Sequence, residues 1–324
     1  MSAVDAVKNG YRGLLLAIVI ALCAGFLSEH YGAPVMLFAL LIGMAFHFLA
    51  SNPETAPGIN LASQSLLRIG VALLGFRLSF DDVVSQGWQS IVIIVSLVIA
   101  TIGVGLLAAT LFKRSRSLGI LTGGAVAICG ASAALAISAA MPKRDGLDQD
   151  TLFTVVAVTT LSTVAMVIYP ILFAALGFDD AQAGFLIGAT IHDVAQVVGA
   201  GYSISDQAGD MATLTKLQRV LLLPLLVIVL AIVFRAPDAK GPTVPLFVIA
   251  FVVFMVINSF GIVPDVVVAV LVEASRWLLI TAIAALGVKT SLGSMVGLGR
   301  QHIAVVVLPT VVLLLLAVIV VSMV

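Results

Sequence analysis

The most constraining feature of this sequence is a succession of apolar runs, each about as long as a membrane is thick. A helix of about twenty apolar residues crosses the hydrocarbon core of a bilayer, and such runs follow one another through all 324 residues. Hydrophobic residues make up 61% of the chain and charged residues only 10%, with a mean hydropathy of +1.23. A soluble domain is roughly half apolar and a quarter charged. We therefore predict an all-α polytopic membrane protein.

The apolar runs predict about eleven transmembrane helices joined by short connections. Their expected limits are 12–28, 34–50, 62–80, 88–112, 118–140, 151–176, 183–202, 214–234, 244–261, 265–288 and 302–324. Basic residues are more frequent on the side of the N-terminus, most clearly at Lys113, Arg114 and Arg116. Because cytoplasmic loops are enriched in Lys and Arg, we expect a cytoplasmic N-terminus and a C-terminus on the opposite side.

An internal repeat indicates an inverted architecture. Residues 66–92 align with residues 278–304 at an offset of 212, with ten identities in 27 positions. Spans 1–4 would then recur as spans 8–11, and an odd number of spans separates the two copies. The copies therefore run in opposite directions, as the inverted repeats of secondary transporters do. The expected organisation is a four-helix repeat unit at 1–112, a central unit at 113–212 and an inverted four-helix unit at 213–324.

The fifth and seventh spans, between the two copies, are rich in glycine and are predicted to be discontinuous helices. A break leaves free N–H groups that attract anions and free C=O groups that attract cations. In the fifth span the candidate break is Cys129-Gly130-Ala131-Ser132, and we expect Cys129, Gly130 and Ser132 to contact a substrate. The alternative is that these small residues only allow close packing of helices.

The seventh span carries His192 and Asp193 side by side within an apolar run, with Thr190 and Gln196 close by. Ionisable groups at membrane depth are costly and persist where they face a protein interior or a watery cavity. Imidazole titrates near physiological pH, so the pair can bind or release a proton during transport. We expect Thr190 and Gln196 to contact the substrate and His192 and Asp193 to couple it to protons. A static buried network is the alternative.

Five further polar residues lie at or near membrane depth. Arg77 and Lys289 occupy equivalent positions in the two repeats, where they either attract an anion at each mouth or extend towards lipid headgroups. Asn258 is a candidate for cation coordination. Lys216 and Arg219, three residues apart, either face the loop after the seventh span or anchor the eighth span at the headgroups.

Several other classes of function are disfavoured by the sequence. The 16 basic and 16 acidic residues give no net charge, and hence no basic face for nucleic acid. The two cysteines lie in apolar segments, and no Cys/His spacing suggests zinc. The chain has no P-loop, no G-x-S-x-G and no H-E-x-x-H motif. We expect no enzymatic activity, no cofactor and no bound metal.

The motifs resemble those of a bacterial family. Leu121 to Ala134, Gly188 to Gly201 and Leu73 to Phe80 are similar to the corresponding segments of the YeiH-type family, inner-membrane proteins named as sulfate exporters. The order of parts also resembles, more distantly, the superfamily of bile-acid:sodium symporters and cation:proton antiporters. There, a turn like Gly75 to Asp82 precedes a crossing pair of broken helices. The chain departs from that pattern because it ends without a second broken helix in the last repeat.

The resemblance implies a secondary transporter of a small anion such as sulfate, sulfite or a sulfonate, in the bacterial inner membrane and lipid bilayer. Coupling to protons or exchange for another anion is expected, and a homodimer is compatible with the sequence. A sodium-coupled symporter of an organic anion is the second reading. A membrane enzyme that uses His192 and Asp193 as an acid/base dyad and a non-transporting receptor are readings from other classes.

Overall fold

The chain is helical throughout the part that the computed structural model describes, which comprises residues 3–31, 34–79, 87–142, 144–234, 246–290 and 300–323. The α-helices are α1 (Ala3–Tyr31), α2 (Val35–Ala45), α3 (Ala56–Leu61), α4 (Leu67–Leu73), α5 (Gly87–Leu111), α6 (Arg116–Ala127), α7 (Ala131–Ala140), α8 (Leu147–Ala175), α9 (Asp180–Thr190), α10 (Val194–Ile204), α11 (Asp206–Leu221), α12 (Leu223–Phe234), α13 (Leu246–Ser259), α14 (Asp265–Lys289) and α15 (Arg300–Met323). A π turn (Ala62–Leu66) joins α3 to α4, and 3-10 turns form at His47–Leu49 and Leu74–Arg77.

Within the described ranges, seven helical stretches are long and apolar enough to cross a bilayer. They are Gly10–Tyr31, Ala56–Arg77, Gly87–Leu111, Leu147–Ala175, Asp206–Phe234, Asp265–Lys289 and Ile303–Met323. Helices α2, α7, α10 and α13 are shorter apolar helices. The predicted all-helical membrane class is thereby confirmed. Each of the eleven expected segments overlaps one of these helices, but eleven complete crossings stay a prediction.

The chain forms two compact units, each assembled from separated parts of the sequence. Unit 1 comprises Met1–Ser85, Val198–Asp210 and Pro245–Ser291. Unit 2 comprises Gln86–Val197, Met211–Val244 and Leu292–Val324. These units cut across the three sequence segments expected from the repeat, whose role as repeat units stays a prediction.

In unit 1, the backbones of α2 and α14 pack directly against each other. A Cβ atom added to Gly43 would lie 3.0 Å from the Gly287 Cα, and a Cβ added to Gly287 would lie 3.0 Å from the Gly43 Cα. Small residues at such contacts let membrane helices approach closely, which maximises van der Waals attraction where lipid offers no hydrophobic driving force. Gly287 is one of the residues that define the repeat.

Both copies of the repeat motif end a helical segment at their basic residue. The 3-10 turn ends at Arg77 and is followed by extended Leu78 (φ −106°, ψ 154°), while α14 ends at Lys289 and is followed by extended Thr290 (φ −79°, ψ 121°). Residues 80–82 of the motif, including Asp82, lie outside the described residues. The local likeness agrees with a repeat, whose inverted arrangement stays a prediction.

In unit 2, α5 packs through glycines against α6, which is the first half of the discontinuous fifth span. A Cβ atom added to Gly105 would lie 2.6 Å from both the Gly119 carbonyl oxygen and the Gly123 Cα. Helix α15 packs against both α5 and α6, and α8 packs against α7. Gly119 and Gly123 of the fifth span therefore serve close packing along α6, and the break follows at Gly130.

Candidate functional site

The first break lies between α6 and α7, where sequence analysis predicted it. Helix α6 ends at Ala127 and α7 begins at Ala131. Gly130 has φ +62° and ψ −122°, a conformation that is open to glycine and strained for residues with a Cβ atom. Its N–H group donates to the Ala125 carbonyl at 2.9 Å and closes the last turn of α6. The break is therefore built into the backbone at Gly130.

The second break lies between α9 and α10. Helix α9 ends at Thr190, and Ile191 is extended with φ −70° and ψ 138°. The Thr190 hydroxyl donates to the Leu186 carbonyl at 2.6 Å within its own helix. At the start of α10, the Asp193 carboxylate lies near the N–H groups of Val194 and Ala195, and the Asp193 carbonyl accepts the Val197 N–H group at 3.1 Å. Asp193 therefore satisfies part of the N-terminus that the break exposes.

The structure brings the two breaks next to each other. A Cβ atom added to Gly130 would lie 3.6 Å from the His192 Cβ and carbonyl oxygen. Lys216 joins the breaks, because its Nζ atom donates to the Ile128 carbonyl at 2.6 Å and to the Ile191 carbonyl at 2.9 Å. One ammonium group on α11 thus caps the C-terminal ends of both α6 and α9.

Arg219, one helical turn after Lys216, caps the same two ends with its whole guanidinium group. Its hydrogen bonds to carbonyl oxygens are Nε to Ala127 (2.8 Å), Nη2 to Val126 (2.8 Å), and Nη1 to Gly188 (2.9 Å) and Ile191 (3.2 Å). Lys216 is 0% and Arg219 is 2% exposed. Anchoring at lipid headgroups is therefore excluded for this pair. The pair does not face the loop after the seventh span either, because its partners are carbonyls at the breaks within the fifth and seventh spans.

These capping bonds have a clear electrostatic cause. The last carbonyls of a helix have no partner within the helix and carry the negative end of its dipole. An unsatisfied polar group costs several kcal/mol in an apolar surrounding. Lys216 and Arg219 satisfy five carbonyl groups, and neither side chain has a carboxylate within 4 Å in the described part of the chain. The two cations are compensated by backbone dipoles.

The opposite, N-terminal ends of the breaks are less fully capped. Helix α7 has no side-chain hydrogen bond at its N-terminus, and Ser132 in its first turn is exposed. The first N–H groups of a helix point outwards along the axis and attract negative charge. The start of α7 is therefore the part of the breaks that is best suited to meet an anion.

Helix α8 contributes two hydroxyls to the second break. Ser162 accepts the Asp193 N–H group at 3.2 Å, and Thr163 accepts the Gln196 Nε2 group at 3.4 Å. Because the Thr163 hydroxyl donates its proton to the Thr159 carbonyl, it can only accept from Gln196. This fixes the orientation of the amide and leaves the buried Gln196 Oε1 atom without a partner. An unpaired buried acceptor is unusual, and a ligand with a hydrogen-bond donor would satisfy it.

His192 is fixed by a threonine on α15. Its Nε2 atom lies 3.0 Å from the Thr310 hydroxyl, and that hydroxyl donates to the Val306 carbonyl. The hydroxyl proton is thus engaged, so Nε2 is the donor of the pair. The Nδ1 atom is buried and has no partner in hydrogen-bonding geometry. His192 is therefore held through Nε2, and the Val126 carbonyl also lies close to its ring.

The five expected substrate contacts and the expected coupling pair all lie at the two breaks. Cys129 is 5% exposed, Thr190 is 1% exposed and Gln196 is fully buried, while Asp193 is partly exposed. The structure thus brings these residues together, and their roles in binding and coupling stay predictions. Their neighbours Lys216, Arg219, Ser162, Thr163 and Thr310 were not expected to form part of the site.

The other expected site residues lie in unit 1. Asn258 donates from Nδ2 to the Leu78 carbonyl at 3.1 Å, so its amide caps the residue that follows Arg77. Lys289 is exposed, with Nζ 3.5 Å from the Ser63 hydroxyl. Cation coordination by Asn258 and anion attraction by Lys289 stay predictions.

Arg77 forms a charged cluster in unit 1. Its Nε atom donates to Asp210 at 2.8 Å, and its Nη2 atom lies 3.1 Å from Asp206. The Tyr202 hydroxyl donates to the second Asp210 oxygen at 2.6 Å, and the guanidinium lies 5.6 Å from the centroid of the Tyr202 ring. Arg77 is therefore paired with carboxylates, and any attraction of an anion would compete with them.

The Arg77 cluster lines a cavity of about 290 Å³ within unit 1. Glu273 and Arg276 of α14 complete its polar wall, 3.8 Å apart as an i,i+3 pair. Acidic and basic side chains line this cavity in similar number. Within the described residues, no group of three or more His, Cys, Asp or Glu side chains is placed to hold a metal ion in either unit.

Comparison with known proteins places the chain among conserved membrane proteins. A family profile described as Conserved hypothetical protein 698 matches residues 12–306. UPF0324 membrane protein RB0971 of Rhizobium meliloti is 48% identical over 305 residues, which cover 92% of this chain and 88% of the relative. UPF0324 membrane protein TauZ of Paracoccus pantotrophus is 46% identical over 313 residues, covering 94% and 93%. No solved structure matches the chain.

Proposed function

The chain belongs to the family of membrane proteins described as Conserved hypothetical protein 698, and we propose that it is a secondary active transporter of a small anion. The observation that carries the proposal is the pair of adjacent broken helices whose carbonyl ends are occupied by Lys216 and Arg219. Discontinuous helices that meet in this way form the substrate sites of secondary transporters.

The chemistry of the breaks favours an anion over a cation. A cation would bind at carbonyl ends, but those ends already contact an ammonium and a guanidinium group. An anion would bind at helix N-termini, and the first turn of α7 at Ala131 to Ala133 has no side-chain cap. The Ser132 hydroxyl and the remaining N–H of the Gln196 Nε2 group would donate to oxygen atoms of the substrate. Sulfate, sulfite and small sulfonates have the size and charge that this arrangement suits.

The proposed transport is coupled to protons or is an exchange of anions. His192 and Asp193 lie at the second break, where an approaching anion would change the electrostatic surroundings of both groups. Helix α15 fixes the His192 ring through Thr310, and α8 contacts the Asp193 backbone through Ser162. A relative movement of these helices would therefore alter both groups together.

The proposed architecture follows the sequence repeat. Eleven membrane spans, with a cytoplasmic N-terminus and inverted copies at 1–112 and 213–324, would enclose the central segment 113–212 that carries both breaks. Inverted repeats allow one arrangement to open alternately to each side of the membrane. We place the protein in the bacterial inner membrane, and a homodimer is compatible with this arrangement.

Flux measurements in proteoliposomes test the proposed function. We expect purified protein to exchange radiolabelled sulfate or sulfite across the bilayer, and the double variant His192→Gln, Asp193→Asn to lose the response to a proton gradient. The variant His30→Gln, at an exposed histidine of α1, is the matched control. Absence of flux for every small anion contradicts the transporter proposal. Unchanged proton-driven flux in the folded double variant contradicts the assignment of the coupling pair.

A thermal-shift screen at two pH values selects the anions for these assays. A ligand that binds the folded protein raises its apparent melting temperature in proportion to the logarithm of its concentration over Kd. We expect oxoanions to raise the melting temperature more than chloride does. The screen also distinguishes binding without transport, which would favour a receptor.

A further inference from the structure

We propose that Lys216 and Arg219 are built-in cations that take the place of a coupling metal ion, so that anion transport requires neither Na⁺ nor K⁺. This inference rests on the proposed function and specifies its coupling. Broken-helix transporters that use Na⁺ coordinate it with carbonyl groups at unwound segments and helix C-termini. In this chain, side chains from α11 occupy those groups.

The hydrogen bonds from Lys216 and Arg219 to these carbonyl oxygens are short. Nζ of Lys216 lies 2.6 Å from the Ile128 oxygen and 2.9 Å from the Ile191 oxygen, within the range of charge-assisted hydrogen bonds. Arg219 donates to both the Val126 and Ala127 oxygens at 2.8 Å. A metal ion at the same oxygens would displace a bound ammonium or guanidinium group and would be repelled by the other.

The charges at the breaks leave a positive excess that suits an anion. Two helix C-termini contribute together roughly one negative charge, and two N-termini roughly one positive charge. The two cations add two positive charges, and the Asp193 carboxylate removes one. Roughly one positive charge remains uncompensated at the breaks. A monoanion such as a sulfonate neutralises it alone, and a dianion such as sulfate does so together with one proton, so no co-transported metal ion is needed for that purpose.

Removal of Lys216 should uncover a cation site. In the variant Lys216→Met, the Ile128 and Ile191 carbonyls lose their shared donor, while the methionine side chain retains a similar apolar length. The Ile128 oxygen is then without a donor, and the Ile191 oxygen keeps only its longer hydrogen bond from Arg219, at 3.2 Å. We expect Na⁺ to stabilise this variant and to restore part of its transport, an effect that the parent protein lacks.

The experiment compares sulfate or sulfite counterflow in proteoliposomes that contain Na⁺, K⁺ or choline as the cation, at equal concentration. We expect equal flux of the parent protein in all three cations. We expect Lys216→Met to lose about tenfold or more of the flux in choline, because the carbonyls lose their buried partner. Na⁺ should restore a measurable part of it. Lys216→Arg, which keeps the charge, is the matched control.

The outcomes show whether this inference or the proposed function has failed. No flux of the parent protein in any cation contradicts the transporter proposal. Parent flux that occurs in Na⁺ and fails in choline leaves transport intact and overturns the built-in cations. A folded Lys216→Met variant that gains neither stability nor flux from Na⁺ also overturns the inference. Should this variant not fold, the melting temperature of the parent protein decides the matter: it must be equal in sodium and choline sulfate.

Discussion

Arg219 in unit 2 and Arg77 in unit 1 are two shielded arginines that have their charge compensated in different ways. Arg219 is 2% exposed and donates to four backbone carbonyls that belong to two helix ends. The side chain of Arg77 is 26% exposed and pairs with the carboxylates of Asp206 and Asp210. The first holds backbone in place, whereas the second holds other side chains.

This difference indicates which arginine contributes more to the stability of the fold. A carbonyl at a broken helix cannot turn away to find another donor, so the loss of Arg219 leaves several buried acceptors unpaired. Asp206 is 77% exposed and can turn to water when Arg77 is lost. We therefore expect substitutions at the breaks to affect stability more than substitutions in the Arg77 cluster.

The largest effect is expected for Arg219→Met. The variant removes the donors of the Val126, Ala127 and Gly188 carbonyls, and we expect the free energy of unfolding to fall by roughly 3–5 kcal/mol. Unfolding in mixed micelles containing dodecyl sulfate measures the change. Arg68→Met, at an exposed arginine of α4, is the matched control and should change stability little. Equal effects at the two positions would contradict the capping role of Arg219.

The next effect is expected for Gly130→Ala. At φ +62° and ψ −122° a Cβ atom is strained by roughly 1–3 kcal/mol, even though the space beside His192 admits it. Gly103→Ala in α5, where an added Cβ meets no atom within 4 Å, should be neutral or slightly stabilising, since alanine favours helix. Melting temperatures of both variants provide the measurement. An unchanged melting temperature for Gly130→Ala would show that the break tolerates another backbone conformation.

The sequence predicted the helices and the break at Gly130 because both depend on local features. Apolar length defines a membrane helix, and glycine next to small residues marks where such a helix is easily interrupted. The pair His192 and Asp193 was conspicuous because charged groups are rare in apolar runs. These features can be recognised within a few residues of each position.

The partners of Lys216 and Arg219 could not be predicted in the same way. They are backbone carbonyls between 25 and 93 residues away, and every residue has a carbonyl group. Sequence analysis left open whether the pair faced the loop or the headgroups, since a basic pair near a helix end fits both. Ser162 and Thr163 were overlooked because α8 contains several Ser and Thr residues, and some of them, such as Thr154 and Thr160, bond only to their own helix. A lack of nearby acidic residues around Lys216 was the one available signal.

A moderate effect is expected for Arg77→Gln in unit 1. The variant loses the hydrogen bond to Asp210, the less exposed of the two carboxylates. We expect this bond to contribute roughly 1–2 kcal/mol to the free energy of unfolding. Tyr202 still donates to Asp210, which limits the loss. Unfolding at low and high ionic strength gives the measurement, because partly exposed ion pairs are screened by salt. A loss as large as that of Arg219→Met would contradict the contrast between the two arginines.

The smallest effect is expected for Asp206→Asn, which tests the same cluster from its exposed side. Exposed ion pairs contribute about 0–1 kcal/mol, because solvent compensates the loss of the contact. Asp210→Asn should cost more, since Asp210 accepts from both Arg77 and Tyr202 and its side chain is only 22% exposed. Melting temperatures of the two asparagine variants, measured in the same detergent, give the order. If Asp206→Asn proved the more damaging, the Arg77 cluster would depend on its exposed carboxylate, and burial would not explain the difference between the two arginines.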